Sequence, residues 1–371
     1  MRKYILLFLV FCLFLTGCAQ NEVGYEQEKD DTKVTEGGTL EVHYIDVGQG
    51  DATLIKCGSH AMLVDGGNNH MGTAVQLYLE KQGVKSLDYI IGTHPDADHI
   101  GGLDVVAYKF DFHMILMPDY EKDTKTYTEL VDVIKGKNQK ITYPIPGTSY
   151  SLGEAKFTIL APISDDYGSN ANNYSIAFRL TYGETSFLFT GDAEQESESE
   201  MLSSGEELAV DVYKVAHHGS DSASTQEFMK VISPKYAVIS CKEGNSYGHP
   251  HAEVLNRLRQ MGIEIFRTDE QGSIIAVSDG KHISWSVSPS TSWQTGERKE
   301  SDREDIPEKD QTVSQQETES VSYILNTNTK KFHKVTCKSV SQIQEENREE
   351  SGLKRDKLIK EGYQPCKNCS P

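Results

Sequence analysis

The sequence predicts an α/β body, a sheet-rich interior with helices outside it, followed by a small separate module at the C-terminal end. Three observations lead there. In a chain of 371 residues, longer than one domain usually runs, short β-rich runs alternate with amphipathic helical windows. Most chemically active side chains follow directly on one of those runs. A stretch too polar and charged to bury a core then separates the body from a tail carrying Cys337, Cys366 and Cys369.

Taken in order, Arg2 and Lys3 precede an apolar run from Tyr4 to Leu15, which has the length of a secretory signal core and is short for a bilayer span. The run ends in LTGC and resembles the lipobox of bacterial lipoproteins. That resemblance implies removal of residues 1–17, lipid on Cys18, and attachment to the outer face of the cell membrane. Residues 18–38 are polar and read as a tether. No second apolar span follows, so nothing in the chain builds a channel. The net charge of −19 excludes a global attraction for nucleic acid or anionic lipid, so any polyanion must be held at a local site such as bound metal.

The body is expected over residues 39–287. TLEVHYIDVG, ATLIKC and HAMLVDGG read as three strands in succession, and LDYIIGTH as a fourth after a short helix near Ala74 to Gln82. SIAFRLTYGETSFLFTGD is two strands about a tight turn at Gly183, and VDVYKVAHHGS and KYAVIS continue the series. Helical windows lie near Glu194 to Leu202, Thr225 to Ile232 and His251 to Met261. Residues 288–320 read as a solvated acidic linker, and 321–371 as the small module.

The stretch GTHPDADHIGG places His94, Asp96, Asp98 and His99 immediately after a strand, with a glycine pair letting the chain turn into a helix. Imidazole and carboxylate at this spacing are the donors that hydrolytic metals take, and helix capping accounts only for a lone aspartate. Asp192, in the turn after an apolar strand, and Asp65, at another strand end, are further carboxylates that can reach a cleft. For Asp65 a simple turn role stays open. KVAHHGS supplies His217 and His218, and GHPH supplies His249 and His251.

HPDADH resembles the HxHxDH motif of the metallo-β-lactamase fold, with Asp96 where a histidine is usual. With HYIDVGQGDATLI, LVDGG, NNYSIAFRLTYGETSFLFTGDAE, VYKVAHHGS and YGHPHAEVLNRL, it is similar to the metallo-β-lactamase-like domain of ComEC-type DNA-uptake proteins. The resemblance implies an αββα sandwich holding two divalent ions, zinc or manganese. His94 and Asp96 would hold one, Asp98 and His99 the other, with Asp192 bridging and Asp65 orienting a ligand histidine. His249 is favoured as a further ligand and His218 as the acid or second-site ligand, and the reverse order stays open, as does a ligand role for His217. The third histidine of many relatives is absent, and Asn172 or Asn173 stands in its region. Asp98, Asp192 and His218 are the expected catalytic residues.

In the tail, His333, Cys337, Cys366 and Cys369 have the composition of a closed structural zinc site and resemble the zinc module of the Ada DNA-repair protein. Together these features imply a lipid-anchored metal hydrolase, a phosphodiesterase or nuclease acting on extracellular DNA. The alternatives are a hydrolase of a small ester, lactam or wall phosphodiester, and a surface binding lipoprotein without turnover. No protein partner is implied.

Overall fold

The computed structural model describes residues 38–296 and, with breaks at 335–336, 352–354, 361 and 368, residues 323–369. The expected signal, Cys18, the tether and most of the acidic linker lie outside the described residues. The two described stretches fall in separate compact units. Among the described residues, no helix is long and apolar enough to cross a membrane.

In the larger unit, β1 (Leu40–Tyr44), β2 (Thr53–Cys57), β3 (His60–Val64), β4 (Ser86–Ile91), β5 (Asp111–Leu116) and β6 (Ile141–Thr142) belong to one sheet. β7 (Ser149–Leu152), β8 (Ala155–Ala161), β9 (Ala177–Tyr182), β10 (Thr185–Phe189), β11 (Val212–Lys214), β12 (Tyr236–Ile239) and β13 (Glu264–Arg267) form a second. β14 (Ile274–Ser278) and β15 (Ile283–Trp285) return to the first sheet, whose order is β15-β14-β1-β2-β3-β4-β5-β6. The second runs β13-β12-β11-β10-β9-β8-β7. The expected hairpin is β9–β10, with Tyr182 opposite Thr185.

The central strands are buried almost continuously because each sheet has two covered faces. Leu40, Val42, Ile55 and Met62 of the first sheet meet Phe157, Phe178, Leu180 and Phe187 of the second in one apolar layer. The outer face of the first sheet packs on α1 (Gly72–Lys81), α2 (Ala97–Ile100), α3 (Leu103–Lys109) and α4 (Lys125–Gly136), through Val75, Leu79, Ile100, Val106, Leu130 and Ile134. The outer face of the second packs on α5 (Gln195–Ser203), α6 (Gln226–Ile232) and α7 (Ala252–Gln260), through Met201, Phe228, Val254 and Leu258. This is the four-layer αββα sandwich. Threonine caps start two of the helices: Thr124 accepts from the Tyr127 amide, and Thr225 from the Phe228 amide.

β3–β4–β5–β6 are parallel to one another, and so are β10–β11–β12–β13. In open α/β sheets, ligand sites lie beyond the carboxyl ends of parallel strands. Here those ends carry Asp65, His94, Asp192, His217 and His218. Residues 288–296, expected to open the linker, run against the body. The Ser290 amide donates to the Ile265 carbonyl, Arg259 to the Ser290 and Ser292 carbonyls, and the Gly296 amide to the Pro250 carbonyl.

The module is a four-stranded sheet of order β18-β16-β17-β19: β16 (Tyr323–Asn326), β17 (Lys331–Lys334), β18 (Arg348–Ser351) and β19 (Gln364–Pro365). Its apolar contents are few, with Leu325, Phe332, Leu358 and Tyr363 in one cluster and Ile324 and Val340 beside the cysteines in another.

Because Phe178 is fully buried between the sheets, Phe178→Ala should destabilise the body by about 3–5 kcal/mol. Urea unfolding followed by circular dichroism measures it.

Candidate metal centre

Asp65 follows β3 with a φ of 57°, a conformation that a non-glycine residue holds only when its surroundings fix it. Its carboxylate does the fixing. It accepts from the Thr93 amide and hydroxyl, both at 2.8 Å, and from His99 Nδ1 at 2.8 Å. With Nδ1 engaged, His99 turns Nε2 inward. It lies 3.2 Å from Asp192 Oδ1 and 3.3 Å from His218 Nε2.

Asp192 comes from the other sheet. Gly191, at φ 51°, lets the turn press so closely on Thr93 and Ser175 that a Cβ would lie 2.9 Å from each. The Asp192 amide donates to Ser175 Oγ, and its Oδ2 stands 4.0 Å from His94 Nε2 and 3.8 Å from His217 Nε2. His217 and His218 both hold left-handed backbones, at φ 48° and 55°. Through that turn His218 donates Nδ1 to the Ser240 carbonyl at 2.9 Å and points Nε2 at Asp98 Oδ2 (3.4 Å) and Asp192 Oδ2 (3.5 Å). His249 lies a ring away, its centroid 6.1 Å from that of His218, and the loop carrying it is held by Asn245.

The expected residues therefore converge, with three differences in place. His218, rather than His249, has its ring nitrogen among the carboxylates. Asp96 meets Lys122 in a close ion pair at the edge of the cavity, whose lining it shares with Asp98, Asn172, Asp192, His217, His218 and His249. Asn173 is engaged elsewhere: its carbonyl oxygen accepts from the Glu194 amide and its nitrogen donates to Glu196, so Asn172 is the asparagine facing the cavity.

Sequence reasoning passed over two residues. Asp51 shares one ligand-sized cluster with His99, Asp192 and His218. Gly50, at φ 137°, brings it there, because a Cβ on that glycine would lie 2.3 Å from the Asp98 carbonyl oxygen. Asp51 Oδ2 pairs with Lys214 Nζ at 2.8 Å, both side chains being buried, and Oδ1 lies 3.4 Å from His218 Nδ1. The usable signal was Lys214 itself. A lysine inside the apolar VYKVA run must find an anion in the interior.

Charge explains the donor set. Burial pushes His94 down to about 4, helped by the neighbouring His99, which leaves a neutral imidazole with a free lone pair. Burial also works against charge on His218, yet Asp192, Asp51 and Asp98 outweigh it and lift that group to about 10. Burial opposes the Asp98 carboxylate, but His218 and His99 hold it down at about 2. So many carboxylates at one edge demand positive charge. His94 Nε2, Asp51 Oδ1 and Asp192 Oδ1 are buried without a hydrogen bond, a costly state that a coordinated cation relieves. The donors fit divalent metal, mixed imidazole and carboxylate favouring zinc or manganese.

In the module, β17 carries His333, Cys337 follows it, and the chain beyond β19 supplies Cys366 and Cys369; the four donor atoms lie within 4.8 Å of one another. His333 Nδ1 is buried without a hydrogen bond, and the contact with His333 draws the Cys337 thiol down to about 6. None of these cysteines is in a disulfide. The set fits a closed tetrahedral ion.

Two outcomes follow from these contacts. Asp65→Asn should weaken metal binding by about 10–100-fold by freeing the His99 ring, read by titration of the metal-stripped protein with zinc. Lys214→Met leaves Asp51 buried without its partner and should cost the metal-free protein about 3–5 kcal/mol, read by thermal and urea unfolding.

The metallo-beta-lactamase superfamily model matches residues 45–242. The chain is 30% identical over 252 residues to ComE operon protein 3 of Bacillus subtilis, covering 63% of this chain and 32% of that protein. It is 28% identical over 232 residues to competence protein ComA of Neisseria gonorrhoeae, covering 62% and 31%. The chain thus spans about a third of the length of these relatives. Among solved structures, the metallo-beta-lactamase fold protein YhfI of Bacillus subtilis aligns at 14% identity and TM-score 0.43, over 67% of this chain and 99% of that one. With the family model covering more than half of the chain, the protein belongs to the metallo-beta-lactamase superfamily and is related to bacterial competence proteins.

Proposed function

We propose that the body is a two-metal phosphodiesterase acting on DNA outside the cell, held to the membrane by lipid on Cys18. The observation carrying this is the arrangement about Asp192. Its Oδ1 meets His99 at 3.2 Å and its Oδ2 meets His218 at 3.5 Å and His94 at 4.0 Å, so one buried carboxylate is central to three imidazoles. Asp96 and Asp98 line the same cavity. His94, Asp96 and Asp192 would hold one ion, and Asp98, His99, His218 and Asp192 the second, with Asp51 a further donor. When bound, such a pair lowers the pKa of an attacking water and neutralises a phosphodiester's charge.

The chain's own groups complete the chemistry. Asp192 accepts a hydrogen bond from the attacking water and orients it. His249 is lowered to about 3 by burial and by the neighbouring His218, His217 and His251. It is therefore neutral at physiological pH and keeps one ring N–H, which donates to the departing oxygen. Local metal is what lets a chain of charge −19 take a polyanion at all. The competence relatives direct the choice of DNA among phosphodiesters, and the C-terminal module would be stapled by one structural zinc.

The test adds zinc or manganese to the mature protein and offers it single- and double-stranded DNA, an aryl phosphodiester and a chromogenic β-lactam. DNA cleavage should appear, vanish with chelator, and fall at least a hundredfold in Asp98→Ala, since losing a ligand of a two-metal site removes both charge and positioning. Turnover of only the small substrates, or metal uptake without turnover, overturns the reading. Separately, Cys366→Ser should lower zinc content by one ion per chain while leaving cleavage unchanged.

A further inference from the structure

The cavity at the metal centre measures about 130 Å³. Pockets that enclose a whole small ligand run to roughly 300–1,000 Å³. A reacting phosphodiester group fits inside, and the nucleosides on either side of it must lie on the rim.

The rim is not uniform. On one side it passes by way of His217 and Glu194 into a cavity lined by Glu194, Glu196 and Glu200. Their neighbours there are asparagine, glutamine and serine, a lining that repels a phosphate backbone. Gln49 and Tyr247 also line the reaction cavity. Gln49 also borders a second cavity of about 570 Å³ that includes Asn68, His70, Met71 and Lys242. That cavity also carries Asp46, Glu243 and Asp269, the last neutralised by Arg267 at 2.6 Å.

Tyr247 is 64% exposed although it lines the same small cavity as Asp98, Asp192 and His218. One face of its ring lies over His249, centroids 5.6 Å apart and planes 23° from parallel. Its backbone is pinned at both ends, the amide donating to Asn245 Oδ1 at 3.1 Å and the carbonyl accepting from His251 Nε2 at 3.1 Å. Asn245, itself buried, also accepts from the His249 amide and donates to the Lys242 carbonyl. The ring is thus a water-exposed aromatic plane at the reaction site, stacked on His249 and carried on a backbone fixed at both ends.

We propose that Tyr247 is a stacking platform for an unpaired nucleobase beside the scissile phosphodiester. This rests on the phosphodiesterase reading above. Every base offers a π-face, so the platform selects unpaired nucleic acid without selecting sequence. A paired base keeps its faces stacked on its neighbours, so single strands are the preferred substrate.

The test uses the metal-loaded full chain and two readouts. The first is kcat/KM on a short single-stranded oligonucleotide and on the same strand with abasic sites flanking the cleaved bond. Tyr247→Ala should lower the value on the intact strand roughly tenfold, with the abasic strand and the metal content unchanged. Tyr247→Phe should restore it. The second is fluorescence of 2-aminopurine in an uncleavable phosphorothioate strand, which stacking on Tyr247 quenches and Tyr247→Ala releases. Cleavage that is indifferent to Tyr247, or an equal loss on both strands, overturns the platform and leaves the phosphodiesterase reading intact. Quenching that depends on Tyr247, without cleavage, supports the platform and overturns the activity. Neither quenching nor cleavage overturns both.

Discussion

The contact on which this molecule turns is the 3.2 Å approach of His99 to Asp192. His99 belongs to the loop after β4 in one sheet, and Asp192 to the turn after β10 in the other. The apolar attraction that holds the two sheets together is non-directional, whereas a donor cluster tolerates errors of only a fraction of an ångström. The residues behind the two groups resolve that difference. Asp65 grips Thr93 and His99 from β3, Ser175 receives the Asp192 amide, and Gly191 allows the loops to touch.

The same closeness creates an electrostatic problem. Asp51, Asp65 and Asp192 are buried at one edge, and Asp98 adjoins them. Burying a carboxylate is tolerable only against matching positive charge. Lys214 supplies one fixed charge from within a strand, the histidines supply more, and the remaining excess of carboxylate fits a bound cation. The left-handed backbones at Asp65, His217 and His218 belong to this account. Ordinary strand and turn geometry would not bring so many donors to one point, and the strain is held by hydrogen bonds that the donors themselves make. Stability and metal binding are therefore coupled in this fold.

Much of the site was legible because ligand chemistry leaves local marks. Two histidines and two aspartates in HPDADH, a paired HHGS and a strand ending in TGD are patterns that packing alone does not require. The β-rich runs and helical windows were visible for the same kind of reason, since strands covered on both faces write short apolar runs into the chain and each outer helix writes the period of its one buried face. What stayed hidden was long-range. Asp51 is a single aspartate in a glycine turn, and nothing within several residues of it marks a ligand. Only the Asp98 loop, brought against Gly50, turns it into one of the cluster.

The sequence by itself determined the residue types, the strand ends that carry them, and hence the αββα sandwich with a carboxylate and imidazole site at its edge. The tertiary structure alone decided which histidine reaches that centre. His218 follows β11 and His249 precedes α7, the two are chemically alike, and the choice depends on Ser240, which fixes the His218 ring from a neighbouring strand end. It also decided that Asn173 serves Glu194 and Glu196 while Asn172 faces the cavity, and that Asp96 is shared with Lys122. Side-chain direction is set by partners distant in sequence. A motif can name the donors, but only the packed fold gives each ring nitrogen and each carboxylate oxygen its neighbour.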